Sequence, residues 1–195
     1  VQELIDRIKS EGVHVGGGIV KVDSFLNHQV DPKLMTAMGQ AFAERLVTDA
    51  ADDTAHNITR VITAEVSGIA PALATANVLD VPLVYARKQR SSVMTDDYHV
   101  ATATSRTKKE DVCLMISRRY LGADDRVLVI DDFLATGSTM MALVELIKSS
   151  GAAISGIGCV IEKPAEGGRS KLDALGIPVV SLACVDLVDD AVIVR

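Results

Sequence analysis

The sequence predicts an α/β protein built on an open, mostly parallel, doubly wound sheet, and three observations carry that prediction. Short runs such as "RVLVI" (126–130) and "GIGCVI" (156–161) carry aliphatic residues without polar alternation, as strands covered on both faces do. These runs alternate along the chain with stretches of helical periodicity, which is the order of βαβ units in a parallel sheet. Finally, 48% of the residues are hydrophobic and none is tryptophan, so the core is aliphatic. A length of 195 residues suits one such domain with a sizeable core.

The elements follow in order. "VQELIDRIKSEG" is an amphipathic helix over roughly Gln2–Ser10, stopped by Gly12. "GGGIVKVDSFLNHQV" is a glycine-loosened start to a short strand and an irregular loop. Asp31-Pro32 predicts a helix start, with Asp as N-cap and Pro at the first helical position. Leu34, Met38, Phe42 and Leu46 then repeat at helical spacing. The acidic "TDAADDTAHN" is a connector. "ITRVITAEVSGIAPALATANVLDVPLVYARK" reads as strand, tight turn, helix and strand. "QRSSVMTDDYHVATATSRTKKEDVCLMI", rich in Thr, Ser and charge, reads as a mobile hairpin or lid. The strand at Val127–Ile130 begins a second βα unit, its helix at about Ser138–Ser150 closed by Gly151. "AISGIGCVIEK" is a further core strand, "GGRSKLDALG" a short helix, and "IPVVSLACVDLVDDAVIVR" strand to the end.

Charge and cysteine content narrow the class. The formal net charge of −6 argues against a nucleic-acid binder, so an anionic ligand must be held by local devices. Cys113, Cys159 and Cys184 are odd in number and read as thiols of a reduced compartment. No apolar run reaches membrane-spanning length, and the N-terminus shows no signal peptide. The expectation is a cytoplasmic protein.

The chemistry concentrates in "RVLVIDDFLATGST" (126–139). Asp131 and Asp132 follow a buried strand, on the side of the sheet where ligands bind in open α/β folds. Strand alternation predicts that the two point to opposite sides. That makes a poor acid–base pair but a two-pronged acceptor for vicinal hydroxyls. A solvated turn ahead of a helix cap is the alternative reading. Next, Ala135, Thr136, Gly137, Ser138 and Thr139 lead into the helix. Gly137 lets the backbone approach a ligand, and the hydroxyls stand beside the free N–H groups of a helix start. This is an anion cup that needs no cation, and it is not a Walker A loop. Diol acceptors beside a phosphate cup suggest a ribose 5-phosphate. "AEVSGIAPA" (64–72) is a second strand-to-helix turn, with Ser67 and Gly68 at the helix start, and it suits a second anion.

"VLVIDDFLATGST" resembles the phosphoribosyl-diphosphate signature of the type I phosphoribosyltransferases. "KVDSFLNHQVDPKLM", "SGIAPALATANVLDVPLVYARK" and "GIGCVIEK" extend the likeness over nearly the whole chain, toward the bacterial purine-salvage enzymes that use xanthine. That resemblance implies a sheet of the type I phosphoribosyltransferase kind. A small hood would come from about residues 1–30 and the C-terminal segment, and a lid from about 89–111, in one domain over 1–195. It implies transfer of 5-phosphoribose from phosphoribosyl diphosphate to N9 of xanthine, giving xanthosine 5′-monophosphate and pyrophosphate.

By resemblance, Asp131 and Asp132 hold the ribose 2- and 3-hydroxyls, and Ala135–Thr139 cradle the 5-phosphate. Ser67, Gly68 and Lys88 serve the pyrophosphate, in a turn that in relatives often carries a strained peptide. Glu65 beside it would repel phosphate and is set aside as a contact. Val20, Asn27 and Lys163 map to the xanthine site, and Phe133 either stacks on the base or packs in the core. Ser105, Lys108 and Lys109 of the lid face the departing pyrophosphate, while Arg106 stands where many relatives have an aromatic. Mg²⁺ is expected on the donor's diphosphate, without a dedicated protein cage, and homodimers are expected. Two rivals stay open. One is a guanine or hypoxanthine enzyme of the same fold. The other is a regulator sensing phosphoribosyl diphosphate, which would ordinarily add a basic DNA-binding segment not seen in the residues before Asp31.

Overall fold

In a computed structural model, which describes residues 1–48, 57–90, 97–104, 111–188 and 191–195, the chain opens with helix α1 (Gln2–Glu11). Leu4 and Ile8, one turn apart, are its buried face. A small antiparallel pair follows, β1 (Val13–His14) with β2 (Val20–Lys21), and then a wide π-type turn over Asp23–Asn27. Helix α2 (Pro32–Ala43) begins as the Asp-Pro pair predicts. The Asp31 side chain accepts the N–H groups of Lys33 and Leu34 at 3.0 and 3.1 Å. Leu34, Met38, Phe42 and Leu46 are all buried.

The predicted βαβ unit is strand β3 (Arg60–Ala64), helix α3 (Ile69–Leu79) and strand β4 (Leu83–Ala86). A hairpin follows, β5 (Tyr98–Thr104) antiparallel to β6 (Asp111–Ser117). Strand β7 (Arg126–Leu134), helix α4 (Ser138–Ser150), strand β8 (Ala153–Glu162), short helix α5 (Gly168–Asp173), and strands β9 (Val179–Val188) and β10 (Ala191–Val194) complete the chain. Gly151 ends α4 in the left-handed conformation, as the sequence predicts.

The main sheet has six strands in the order β10-β9-β8-β7-β3-β4, parallel except for the antiparallel edge strand β10. It is the open, mostly parallel α/β sheet that the sequence predicts, with a core on each face. Val61, Leu128 and Ile130 turn to one side, with α1, α2 and α3; Ile62, Val127 and Val129 turn to the other, with α4. The alternation along β7 explains why its run is apolar throughout.

Two sequence readings need adjustment. The hairpin is not solvated along its length: Ala101, Leu114 and Ile116 are buried in the core beneath α4. The apolar run 112–116 of β6, through Leu114 and Ile116, together with Ala101 of β5 seats the stem. The backbone of Met115 exchanges two hydrogen bonds of 2.9 Å with Arg87, tying the stem to the end of β4. The second adjustment concerns β7. It runs on to Leu134, so the acids lie inside it rather than after it. They still border an opening, because pairing with β3 stops at Val129 while pairing with β8 continues to Leu134.

The packing of β8 on α2 gives a test. A Cβ on Gly158 would lie 2.7 Å from two ring carbons of Phe42, itself fully buried. Phe42→Ala should cost about 3–5 kcal/mol and Gly158→Ala about 1–3 kcal/mol. The double variant should lose less than the sum, because the added methyl then enters space the ring vacated. Denaturant unfolding of the four proteins measures this coupling.

Candidate active site

The carboxylates of Asp131 and Asp132 stand at the centre of the sheet, where β3 has turned away. Asp131 is buried and Asp132 partly so. Strand alternation predicts opposite sides for the two, yet they lie close enough to act on one another's ionisation. The face pattern of β7 shifts at this point: Ile130 and Phe133 both belong to the α2–α3 side, and Leu134 to the α4 side. Burial pushes both carboxyls above the ordinary range, and the charge of Asp132 pushes Asp131 well above it. The two carboxyls titrate as one coupled unit, and burial disfavours its doubly ionised form. Each acid also turns the chain locally: Asp132 N–H donates to Asp131 Oδ1 at 3.1 Å, and Phe133 N–H to Asp132 Oδ1 at 2.9 Å.

The two βα turns that the sequence offers as anion sites flank this pair. Gly68, in the turn between β3 and α3, lies against Asp131: a Cβ there would sit 2.5 Å from Asp131 Oδ1 and 2.2 Å from Thr63 Oγ1. Ser67 precedes it, half-buried, and the Glu65–Val66 peptide bond before it is cis. Glu65, set aside as a phosphate contact, has a partner of its own. Its Oε1 accepts the Lys88 N–H at 2.7 Å, and its Oε2 lies 3.6 Å from Arg87 Nε. It thus joins the end of β3 to the end of β4 and holds the backbone of Lys88 beside the turn. The exposed Lys88 is near enough to act on the ionisation of both Asp131 and Asp132.

On the other flank, Ala135–Thr139 form the turn from β7 into α4. Gly137 takes φ 76°, which favours glycine, and its carbonyl accepts the Met141 N–H at 2.8 Å. Thr136 Oγ1 donates to Ser138 Oγ at 3.3 Å, gathering the hydroxyls on one side. The first N–H groups of α4, Ser138 and Thr139 among them, have no partner within the helix and face this turn.

The residues that the resemblance assigns to the purine come from three places. Lys163 follows β8, and its Nζ donates to Gly18 O at 2.8 Å and stands 5.1 Å from the centre of the Phe133 ring. Asn27, at the end of the π-type turn, donates from Nδ2 to Asp132 Oδ2 at 3.4 Å. The Val20 side chain is buried in the core on the α2 face, so its backbone is what it offers a ligand. Asn27, Asp132, Phe133 and Lys163 thus line one side of the carboxylate pair. His28 is exposed. Ser105, Arg106, Lys108 and Lys109 lie outside the described residues.

A phosphoribosyl transferase domain model matches residues 37–184. The chain belongs to the phosphoribosyltransferase family. Among curated phosphoribosyltransferases, the xanthine phosphoribosyltransferase of Deinococcus deserti is 48% identical over 190 residues, spanning 97% of this chain and 95% of that one. That of Oenococcus oeni is 42% identical over 194 residues, spanning 100% of this chain and 91% of its own. Solved phosphoribosyltransferases share the fold. The adenine enzyme of Thermoanaerobacter pseudethanolicus superposes with a TM-score of 0.72 at 21% identity, covering 94% of this chain and 99% of that one. The Giardia lamblia enzyme, complexed with 9-deazaadenine, gives 0.73 at 24%, covering 93% and 97%.

Sequence reasoning missed residues that brace the phosphoribosyltransferase site from behind. Gly168 N–H donates to Ala135 O at 3.0 Å, and Lys171 Nζ to Thr136 O at 2.8 Å. The Gly167-Gly168 pair was the available signal, since consecutive glycines after a strand mark a close approach. A Cβ on Gly168 would lie 2.3 Å from Ala135 O.

Because burial raises the folded-state Asp131 ionisation above its ordinary 3.8, ionising it costs the folded protein stability as pH rises through and above that value. Asp131→Asn, free of ligand, should therefore melt about 2–6 °C higher than wild type near neutral pH. The advantage should shrink as pH falls toward the ordinary 3.8 and vanish by about pH 3, where both states carry a neutral acid. Thermal melts across pH measure it.

Proposed function

We propose that this protein transfers 5-phosphoribose from phosphoribosyl diphosphate to N9 of xanthine, forming xanthosine 5′-monophosphate and pyrophosphate in purine salvage. The observation that carries this reading is the cation of Lys163 over the Phe133 ring at the edge of the carboxylate pair, in a chain whose near-full-length relatives are xanthine phosphoribosyltransferases. An ammonium at that point donates to a purine oxo group and favours a partly anionic base. Xanthine loses a proton more readily than guanine, so it is the better match.

The roles follow from position. Asp131 and Asp132 accept the ribose 2- and 3-hydroxyls; hydroxyl donors relieve the desolvation that raises the pair. The Ala135–Thr139 turn holds the 5-phosphate through backbone N–H groups and the hydroxyls of Thr136, Ser138 and Thr139. Ser67, Gly68 and Lys88 receive the pyrophosphate, with Glu65 fixing the backbone of Lys88. Phe133 stacks on the base, Asn27 meets its polar edge, and the backbone at Val20 closes the rim.

With both substrates so placed, the bond from the anomeric carbon to the pyrophosphate oxygen breaks as N9 bonds to that carbon, and the purine proton leaves to solvent. The carboxylates beneath the ribose offset positive charge developing on it. The hairpin β5–β6 carries the lid, whose closure excludes water from the reacting carbon. The hard oxygens of Asp131 and Asp132 suit Mg²⁺ carried mainly by the donor's diphosphate, which would neutralise charge on the departing group. We also place the enzyme in the cytoplasm as a homodimer acting on small molecules. Free thiols at Cys113, Cys159 and Cys184 support a reducing compartment, and among the described residues no helix is long and apolar enough to cross a membrane.

The test offers phosphoribosyl diphosphate, Mg²⁺ and, separately, xanthine, guanine, hypoxanthine and adenine, and follows mononucleotide formation. Xanthine should give the highest kcat/KM. A lead for guanine or hypoxanthine would leave the donor site standing and overturn the base-site assignment. No turnover with any purine would favour a sensor. Lys163→Met should lower kcat/KM for xanthine about 10- to 100-fold, the worth of a hydrogen bond to a charged donor. KM for phosphoribosyl diphosphate should move less than about threefold.

A further inference from the structure

Behind the phosphate turn, and outside every role assigned above, lies a polar cluster built on one buried carboxylate. Glu162, 4% exposed, ends β8. Arg169 of α5 reaches it with NH2 at 3.0 Å from Oε2 and Nε at 3.4 Å from Oε1. The same guanidinium donates from NH1 to Val179 O at 2.8 Å and from NH2 to Ser181 Oγ at 3.4 Å, both on β9. Ser181 Oγ also donates to Glu162 Oε2 and meets Cys159 Sγ at 3.1 Å. Burial pushes that thiol up to about 12, so it stays neutral and takes part as a weak hydrogen-bonding group.

Glu162 and Arg169 close the intervening segment into a ring, and that segment has two working ends. Lys163, beside Glu162, carries the ammonium over Phe133, and its N–H is fixed to Leu134 O at 2.8 Å. Gly168, beside Arg169, backs the phosphate turn at Ala135, and Lys171, on the same short helix, holds the Thr136 carbonyl. A planar, forked guanidinium meeting a carboxylate, a carbonyl and a hydroxyl is a rigid joint of a kind lysine does not reproduce.

We propose that the Glu162–Arg169–Ser181 cluster is a positioning device for the 5-phosphate cup. It sets the place of α5, through it the shape of the Ala135–Gly137 turn, and thereby the separation between cup and purine cation. This rests on reading Ala135–Thr139 as the phosphate cup. None of the three residues touches substrate. Their effect should fall on the sugar-phosphate end of the donor and spare the pyrophosphate turn, which is built on β3 and β4.

Ribose 5-phosphate and pyrophosphate separate the two ends. Their binding to wild type, Arg169→Ala, Arg169→Lys and the neutral pair Glu162→Gln with Arg169→Gln is measured by calorimetry, which needs no turnover. Arg169→Ala should weaken ribose 5-phosphate about tenfold or more and pyrophosphate by less than about twofold, with Arg169→Lys recovering only part of the loss. Should Arg169→Ala fail to fold, the neutral pair and the exposed Lys171→Ala carry the same comparison, with about a threefold selective loss expected for Lys171→Ala. Equal weakening of both anions, no weakening of either, or full recovery with lysine would overturn the proposal. So would a wild type that binds no ribose 5-phosphate. A wild type that binds ribose 5-phosphate but converts no purine would overturn the proposed reaction alone, leaving the positioning role to the variant comparison.

Discussion

Two carboxylates placed side by side in the middle of a dry sheet are the constraint that the surrounding structure answers. Burial and mutual repulsion make the ionised pair unfavourable in the folded chain. The fold tolerates it because the strand on one side has already turned away, leaving an opening toward which Lys88 and Asn27 converge. A site that holds such a pair without a ligand is poised to accept hydroxyl groups, since each hydrogen bond to the pair restores solvation lost on folding.

The rest of the architecture brings weak anion-binding devices to that pair from both sides. Each βα turn presents backbone N–H groups at a helix start, and the cations beside them, Lys88 and Lys171, come from other elements. In a chain of net charge −6 this is the economical solution, because the field of the whole molecule does not attract an anion. Each turn is braced from behind: by Glu65 between β3 and β4 on one side, and by Gly168 and Lys171 of α5 on the other. The same segment that braces the second turn also launches Lys163. The turn proposed for the sugar phosphate and the cation proposed for the purine therefore share one support.

Much of this was legible in the order of residues. The apolar runs, the Asp-Pro helix start and the Gly151 stop name their elements because they act within a few residues. The signature from Asp131 to Thr139 announced its chemistry for the same reason: its carboxylates, glycine and hydroxyls sit on one turn. The hairpin was harder. Thr, Ser and charged residues dominate the stretch around it, and only packing under α4 makes core of Ala101, Leu114 and Ile116.

By itself the sequence determined the α/β class, the sheet's βα turns and the residue types at the strand ends, all properties of local spacing and side-chain chemistry. Tertiary structure alone decided how those residues meet. Alternation alone does not tell that Asp131 and Asp132 lie close enough to act on one another's ionisation. Gly68 against Asp131, Asn27 beside Asp132 and Arg169 on Glu162 join residues from 7 to 105 positions apart. Pairings of that kind depend on strand order and on where one strand leaves the sheet before its neighbour, and no local pattern in the chain encodes either.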